Sequence, residues 1–406
     1  MIIIGKHAEL TPELNEEVCA AFDSKVPIKS FAEVLGEVTE GKDNIVVVGS
    51  YGKSTCAALL AWCLEYAGKH PGYVIGAIPT TPATSSAAGQ GTLFVIEGDE
   101  YPSANWDASS KFLHYHPSQL LITSLAHDHI NVFKTVFDYR TPFKKLLSLL
   151  PAGGLLVACG DGDGIRTALD ELDRPTILYS AEDSNCSWYA KNISYGETTT
   201  FDIAYKGTIT AHVTTELLGR HNIENIVGAA ALLLTGEYIT AQELTDAIRK
   251  FKAPQRRLNK ISDKTRIPMY EGFGSSRDKA VSAISAMRLH YPSRNLIVLF
   301  EPHTFSWRTH EALFWYDTVF SGSDRVLIYK PPSHGAQEDQ LSLEEIVSRV
   351  EKQNISVSGL ESPTAGRTLF EEAITENSVV LILSSGGFDG MIEDVKKFIE
   401  QTYPKE

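Results

Sequence analysis

The sequence predicts an α/β protein in which mostly parallel sheets are covered by helices. Three observations predict it. Short apolar runs alternate with helical stretches along almost the whole chain, the pattern of doubly wound folds. Several of those runs are continuous rather than alternating, as strands buried on both faces are. One of them, Asn44–Val48, leads into a glycine-bounded loop and then a helix, the context a phosphate-binding loop requires. A length of 406 residues fits two or three such domains.

Taken in order, residues 1–41 show a strand (Ile2–Ile4), a helix (Pro12–Phe22) and a further short strand–helix pair. This partial α/β segment is too small to bury its own core and is expected to lean on the domain that succeeds it in the chain. A central domain is expected over residues 42–252. It opens with strand Asn44–Val48, loop Gly49–Lys53 and a helix from about Ser54 to Ala67, with Gly68 where a C-cap glycine belongs. Buried strands are expected at Leu93–Ile96, Leu120–Thr123, Leu155–Ala158 and Thr176–Tyr179. Residues 198–205 and 208–215, separated by Lys206-Gly207, read as a β-hairpin, and helices come next at about Asn222–Leu234 and Ala241–Phe251. Residues 253–406 then repeat the alternation. Strands are expected at Ile267–Tyr270, Asn295–Phe300, Arg325–Tyr329 and Val379–Leu383, so a second doubly wound domain is expected.

Composition narrows the function. The net charge is −14, which argues against a nucleic-acid partner, since that needs a basic footprint. No run of about 18 apolar residues suggests a membrane span, and Met1–Gly5 is too short for a signal-peptide core. The five cysteines (Cys19, Cys56, Cys63, Cys159 and Cys186) form no C-x-x-C pair, which reads as reduced thiols and a cytoplasmic location.

The chemistry sits at the strand ends. In Gly49-Ser50-Tyr51-Gly52-Lys53-Ser54-Thr55, the glycines let backbone N–H groups curl around phosphate oxygens. Lys53 would reach the β- and γ-phosphates of a bound nucleotide, and the hydroxyl of Ser54 or Thr55 would ligate Mg²⁺. Two residues separate the glycines where the general pattern has four. Lys53, read as a contact to phosphate rather than a core residue, should be removable without unfolding the protein. Glu97-Gly98-Asp99-Glu100 ends the strand Leu93–Ile96, on the edge where open sheets bind ligands, so its carboxylates could hold Mg²⁺. His127-Asp128-His129 comes after the next strand and could add a metal ligand. Arg256-Arg257 suits phosphate recognition. His303 and the Ser384-Ser385-Gly386-Gly387 turn end strands of the last region. Each has a structural alternative: a tight turn, a solvated acidic loop, a buried capping cluster, a solvated basic pair.

Together these segments resemble the Mur ligases of peptidoglycan synthesis. The likeness runs in order through GSYGKST (49–55), EGDEYPS (97–103), KFLHYHP (111–117), HDHINVF (127–133), LLGRHNIENIVGAAA (217–231), FKAPQRRL (251–258), EPHTF (301–305) and SSGGFDG (384–390). Within the family it is most similar to the branch that joins UDP-N-acetylmuramate to L-alanyl-γ-D-glutamyl-meso-diaminopimelate. The resemblance implies a central P-loop-type ATPase domain and a C-terminal Rossmann-like domain. It implies ATP contacts from Gly49, Gly52, Lys53, Ser54 and Thr55, with Glu97 and His129 as Mg²⁺ ligands. Asn222 and Asn225 fall in the segment that meets adenine, and Arg257 matches an arginine near the γ-phosphate. Ser384 and Ser385, with His303 nearby, fall where the incoming substrate is held. Lys144 lies about where some members carry a carbamylated lysine. The implied reaction is ATP-dependent amide-bond formation between a carboxylate and an amine (amino acid or peptide), through an acyl phosphate.

Two departures stand out. The family's first domain opens with a glycine-rich loop for the UDP diphosphate, whereas residues 1–48 hold only Gly5, Gly36 and Gly41. The expectation is a shortened N-terminal domain with no strong UDP site of its own, which a partner chain could complete. The family's Asp-Phe-Ala-His segment is here Glu271-Gly272-Phe273-Gly274-Ser275-Ser276-Arg277, with Glu271 able to replace the carboxylate. Three readings stay open: a peptidoglycan ligase, a Mur-like amide ligase on a non-UDP carboxylate, or a nucleotide-binding protein without ligase activity.

Overall fold

The computed structural model describes residues 1–7, 9–127, 132–161, 165–170, 174–332 and 340–405. It divides into two compact units: residues 1–193, 200–215 and 221–254 in the first, and 194–199, 216–220 and 255–406 in the second. The first 41 residues therefore belong to the same unit as the phosphate-loop strand.

The first unit begins with β1 (Ile2–Ile4), α1 (Glu16–Asp23), β2 (Ile28–Ser30) and α2 (Phe31–Val38). Helix α1 starts four residues later than the sequence pattern suggests. Asn15 is the reason: it is extended, and its side chain accepts the Val18 N–H at 3.0 Å, which fixes the first turn there. Strands β1 and β2 form a separate parallel pair. Their core is small, with Ile4, Val18 and Ala21 buried together. Helix α2 lies tight against residues 111–114; a Cβ at Gly36 would sit 2.1 Å from the His114 carbonyl oxygen.

Next come β3 (Asp43–Val48), α3 (Lys53–Tyr66), β4 (Gly72–Val74), β5 (Ser86–Ala87), β6 (Leu93–Glu97), β7 (Gln119–Ile122), α4 (Val136–Leu149), β8 (Leu155–Cys159), α5 (Ile165–Asp170), β9 (Ile177–Ser180) and β10 (Trp188–Tyr195). A hairpin, β11 (Thr199–Tyr205) and β12 (Thr208–Thr215), precedes α6 (Arg220–Thr235) and α7 (Ala241–Lys250). The ten strands form one sheet in the order β12-β11-β10-β9-β8-β7-β3-β6-β4-β5. Pairing is parallel from β4 through β10. The hairpin turn has positive φ at both Lys206 (46°) and Gly207 (90°), the conformation that matches strand twist. Strand β10, absent from the sequence expectation, joins this hairpin to the parallel strands.

Helix α3 has little polar surface because most of it is interior: ten of its fourteen residues, Ser54 to Ala61 with Cys63 and Leu64, are buried. Helix α6 is likewise buried from Ile223 to Leu233, Glu224 excepted. Helices apolar all round belong in the interior, and here they fix the two segments that flank the loop.

The second unit holds β13 (Arg257–Lys260), β14 (Met269–Gly272), α8 (Arg277–His290), β15 (Asn295–Phe300), α9 (Phe305–Arg308), β16 (Arg325–Tyr329), α10 (Leu343–Glu351), β17 (Ser356–Leu360), α11 (Pro363–Ala373), β18 (Ser378–Leu383) and α12 (Met391–Thr402). Its sheet runs β13-β14-β18-β15-β16-β17, parallel except for β13. Leu296, Val298 and Phe300 of β15 enter one core while Ile297 and Leu299 enter the other. That two-sided burial is why the strand reads as an unbroken apolar run.

Candidate active site

The turn between β3 and α3 is set by two glycines. Gly49 has φ +136°, and a Cβ there would lie 2.3 Å from Thr123 Oγ1 and 2.7 Å from the Ser124 nitrogen. Gly52 has φ +83°, and a Cβ there would lie 2.5 Å from Asn225 Oδ1. Residues beyond β7 brace the turn. Ser124 Oγ accepts the Tyr51 N–H at 2.9 Å, and Thr123 Oγ1 donates to the Val48 carbonyl at 3.1 Å. Gly52 caps α3 without a side-chain hydrogen bond, so the helix presents its first amides to the loop, the arrangement that favours an anion.

Lys53 Nζ is 2.9 and 3.2 Å from the two carboxylate oxygens of Glu100 and also donates to the Gly49 carbonyl. Glu100 is fully buried. The acidic run thus separates into three roles that the sequence does not distinguish. Glu97 Oε1 accepts from Ser54 Oγ at 2.7 Å, and its Oε2 accepts the Gly76 N–H at 2.6 Å. Asp99 pairs with Lys111. Glu100 holds the lysine. Gly98 permits this spacing, since a Cβ there would strike Val48 Cγ1 at 2.5 Å.

The structure brings Ser54, Thr55, Glu97, Asn222 and Asn225 to this end of the sheet. Asn222 and Asn225 are buried, and Asn225 Nδ2 donates to Asn222 Oδ1 at 3.3 Å. Asn225 Oδ1 also accepts from the Cys56 thiol at 3.4 Å. Burial, with Glu224 and Glu97 nearby, pushes that thiol far above its ordinary pKa, so Cys56 is a packing residue, not a nucleophile. His129 and Asp128 lie outside the described residues. His127 is described, and its ring is 2.8 Å from the Phe133 carbonyl oxygen. Lys144, on α4, is half-buried and already engaged with a neighbour.

In the second unit the residues singled out form a chain of contacts. Glu271 pairs with Arg256 at 3.0 Å, and Arg256 Nη1 donates to the Ser385 carbonyl at 3.2 Å. Ser385 Oγ is 3.3 Å from His303 Nδ1. Ser384 Oγ donates to buried Glu301 and accepts the Gly386 N–H at 2.7 Å. Arg257, the arginine that the family resemblance singles out, lies over Phe273, at 5.7 Å from the ring centre, and is engaged with a further neighbour. Arg256 makes the ion pair because its φ is +58° and the ladder shifts register between Arg257 and Asn259. A bulge of this kind re-aims side chains, and nothing in the local composition announces it. Arg277 does not join this chain: its guanidinium donates to Thr318 Oγ1 at 2.8 Å.

A glycine-shaped strand–loop–helix turn at the carboxyl edge of a parallel sheet, with a lysine in the first helical turn, defines an α/β protein of the P-loop type. Residues 47–233 match the Mur ligase middle domain. A UDP-N-acetylmuramate–L-alanine ligase from Endomicrobium trichonymphae is 28% identical over 379 residues, 92% of this chain and 80% of that protein. The structure of UDP-N-acetylmuramate:L-alanyl-γ-D-glutamyl-meso-diaminopimelate ligase from Neisseria meningitides is 30% identical, with a TM-score of 0.56 over 63% of this chain and 79% of that one. The structure of UDP-N-acetylmuramate-alanine ligase from Thermotoga maritima shares the fold over 98% of this chain and 84% of its own, at 19% identity and a TM-score of 0.75. The chain belongs to the Mur ligase family. No helix among the described residues is long and apolar enough to cross a membrane.

Proposed function

We propose that the protein is an ATP-dependent C–N ligase that joins a carboxylate to an amine by way of an acyl phosphate, in the making or recycling of peptidoglycan precursors. The observation that carries this reading is the Ser54–Glu97 contact at 2.7 Å beside Lys53. A hydroxyl and a carboxylate side by side are hard oxygen donors of the kind Mg²⁺ takes, and they stand at a turn built for phosphate. Ser54, Thr55 and Glu97 would hold the ion, with His129 a further candidate. Mg²⁺ would neutralise charge on the transferring phosphoryl group.

Lys53 and the α3 amides would bind the triphosphate, and Asn222 and Asn225 would meet the base. In the second unit Arg257 and Glu271 are the nucleotide contacts of this reading, while His303, Ser384 and Ser385 hold the incoming amine substrate by its carboxylate. The related ligases that take L-alanine or the tripeptide as amine share UDP-N-acetylmuramate and differ in the amine. The carboxylate substrate is therefore assigned to the UDP-N-acetylmuramate class, and the amine to an amino acid or short peptide. The test is phosphate release from ATP and Mg²⁺ with UDP-N-acetylmuramate and a panel of amines. Release that requires both substrates supports the reading; release indifferent to either, or none with any pair, contradicts it.

A further inference from the structure

On the side of the sheet that faces α6 lies a second group of ligating side chains. Cys159 Sγ and one carboxylate oxygen each from Asp161 and Glu224 lie within 4.8 Å of one another. Cys159 ends β8, Asp161 comes two residues on, and Glu224 projects from the first turns of α6. Asp161 is steadied by the Ser180 hydroxyl and by the Ala181 N–H at 3.0 Å. None of the three takes part in the proposed ATP site.

Tyr179 supplies a separate observation. It is fully buried, and among the described residues its hydroxyl has no hydrogen-bond partner. A fully buried hydroxyl is unfavourable unless something satisfies it. Tyr179 is the cross-strand partner of Cys159, so both side chains stand on one face of the sheet. Its hydroxyl would be 2.8 Å from a Cβ at Gly228, four residues after Glu224 and so on the same side of α6. The unpartnered hydroxyl therefore points toward the thiol and the two carboxylates.

We propose that Cys159, Asp161 and Glu224 form a binding site for a zinc-class divalent cation, with the Tyr179 hydroxyl placed to bond a water on the fourth position. A tetrahedral ion with one Zn–S bond near 2.3 Å and two Zn–O bonds near 2.0 Å needs its donors roughly 3.3–3.6 Å apart. The three donors, all within 4.8 Å of one another, approach that spacing. A thiolate beside two carboxylates suits Zn²⁺ or Co²⁺, whereas the all-oxygen set at Ser54 and Glu97 suits Mg²⁺, so the two sites select different ions.

The experiment titrates the chelator-stripped full-length protein with Co²⁺ in excess Mg²⁺ and tracks the thiolate-to-cobalt absorption in the near ultraviolet. Zn²⁺ affinity is measured in parallel by competition with a chromophoric chelator. The proposal expects saturation at one equivalent, loss of the band in Cys159→Ser, and zinc affinity weakened about tenfold or more in Glu224→Gln. If Cys159→Ser does not fold, Glu224→Gln at its partly exposed position carries the test through the same two readouts. No band at one equivalent, a band that survives Cys159→Ser, or unchanged zinc affinity in Glu224→Gln overturns it.

Discussion

The ammonium of Lys53 lies 2.9 Å from Oε2 of Glu100, and that carboxylate has no exposure to solvent. The lysine of the phosphate loop is thus paired with a buried carboxylate before any nucleotide arrives. Glu100 holds it at the turn, where it also donates to the Gly49 carbonyl. Removing one partner of such a pair leaves the other charged and buried, which typically costs about 3–5 kcal/mol. Lys53→Ala should therefore lower stability by that order in urea denaturation without nucleotide, and adding Glu100→Gln should restore much of the loss. A Lys53→Ala protein as stable as the unmodified one would show that the pair contributes little. The sequence-based reading of Lys53 as a phosphate contact alone predicts that unperturbed result.

The Ser54–Glu97 contact makes a second prediction. Glu97→Gln keeps the hydrogen bond but removes the charge that a divalent ion needs. Turnover should fall about 10²- to 10³-fold, the usual scale for one lost electrostatic contact at a reacting phosphate, and the Mg²⁺ concentration for half-activity should rise. A pure fall in turnover with the Mg²⁺ requirement unmoved would place the ion elsewhere.

Gly49→Ala tests the shape of the loop. Its φ of +136° and the 2.3 Å approach of Thr123 Oγ1 leave no room for a methyl group. The variant should lose roughly 1–3 kcal/mol, the scale of a strained backbone position. Calorimetric titration with ATP should show binding lost or severely weakened. Normal ATP affinity would mean that this turn does not hold the phosphates.

His290 carries a pH dependence. In the second unit its Nε2 accepts the Gly219 N–H at 3.0 Å and its Nδ1–H donates to the Gly196 carbonyl at 2.6 Å. This is the neutral ring, since a protonated Nε2 could not accept. Burial lowers its pKa below the usual 6.5, although the Gly196 bond opposes the shift. The unfolded chain therefore takes up a proton first. The stability this histidine contributes is fully present above about pH 6.5 and is lost as pH falls through the lower folded value. Urea midpoints from about pH 8 to about pH 5 should fall more for the unmodified protein than for His290→Gln. Parallel curves would rule the histidine out as the source.

The sheets are legible in the sequence because burial on both faces writes continuous apolar runs, as in β3, β15 and β18. The phosphate turn is legible because glycine, lysine and hydroxyl residues coincide between a strand and a helix. What is not legible depends on side-chain direction and long-range partners. Glu97, Asp99 and Glu100 look alike in the chain, yet they hold Ser54, Lys111 and Lys53 respectively. The choice between Arg256 and Arg257 is made by a bulge at Leu258, whose φ of +63° no composition rule foretells. The start of α1 differs from the Pro12–Phe22 pattern because Asn15 supplies the cap. Glu301 and Tyr179 are ordinary residues in sequence, and only the packed sheet shows what faces them.

In the proposed reaction phosphate passes from ATP to a substrate carboxylate. The most direct measurement uses UDP-N-acetylmuramate with heavy oxygen in its carboxylate, ATP, Mg²⁺ and the amine that supports turnover, and weighs the phosphate released. An acyl phosphate formed at the Lys53 loop predicts that each phosphate carries one heavy oxygen from the carboxylate, in step with amide formed. Phosphate free of heavy oxygen, released while amide accumulates, would rule out an acyl phosphate on this protein.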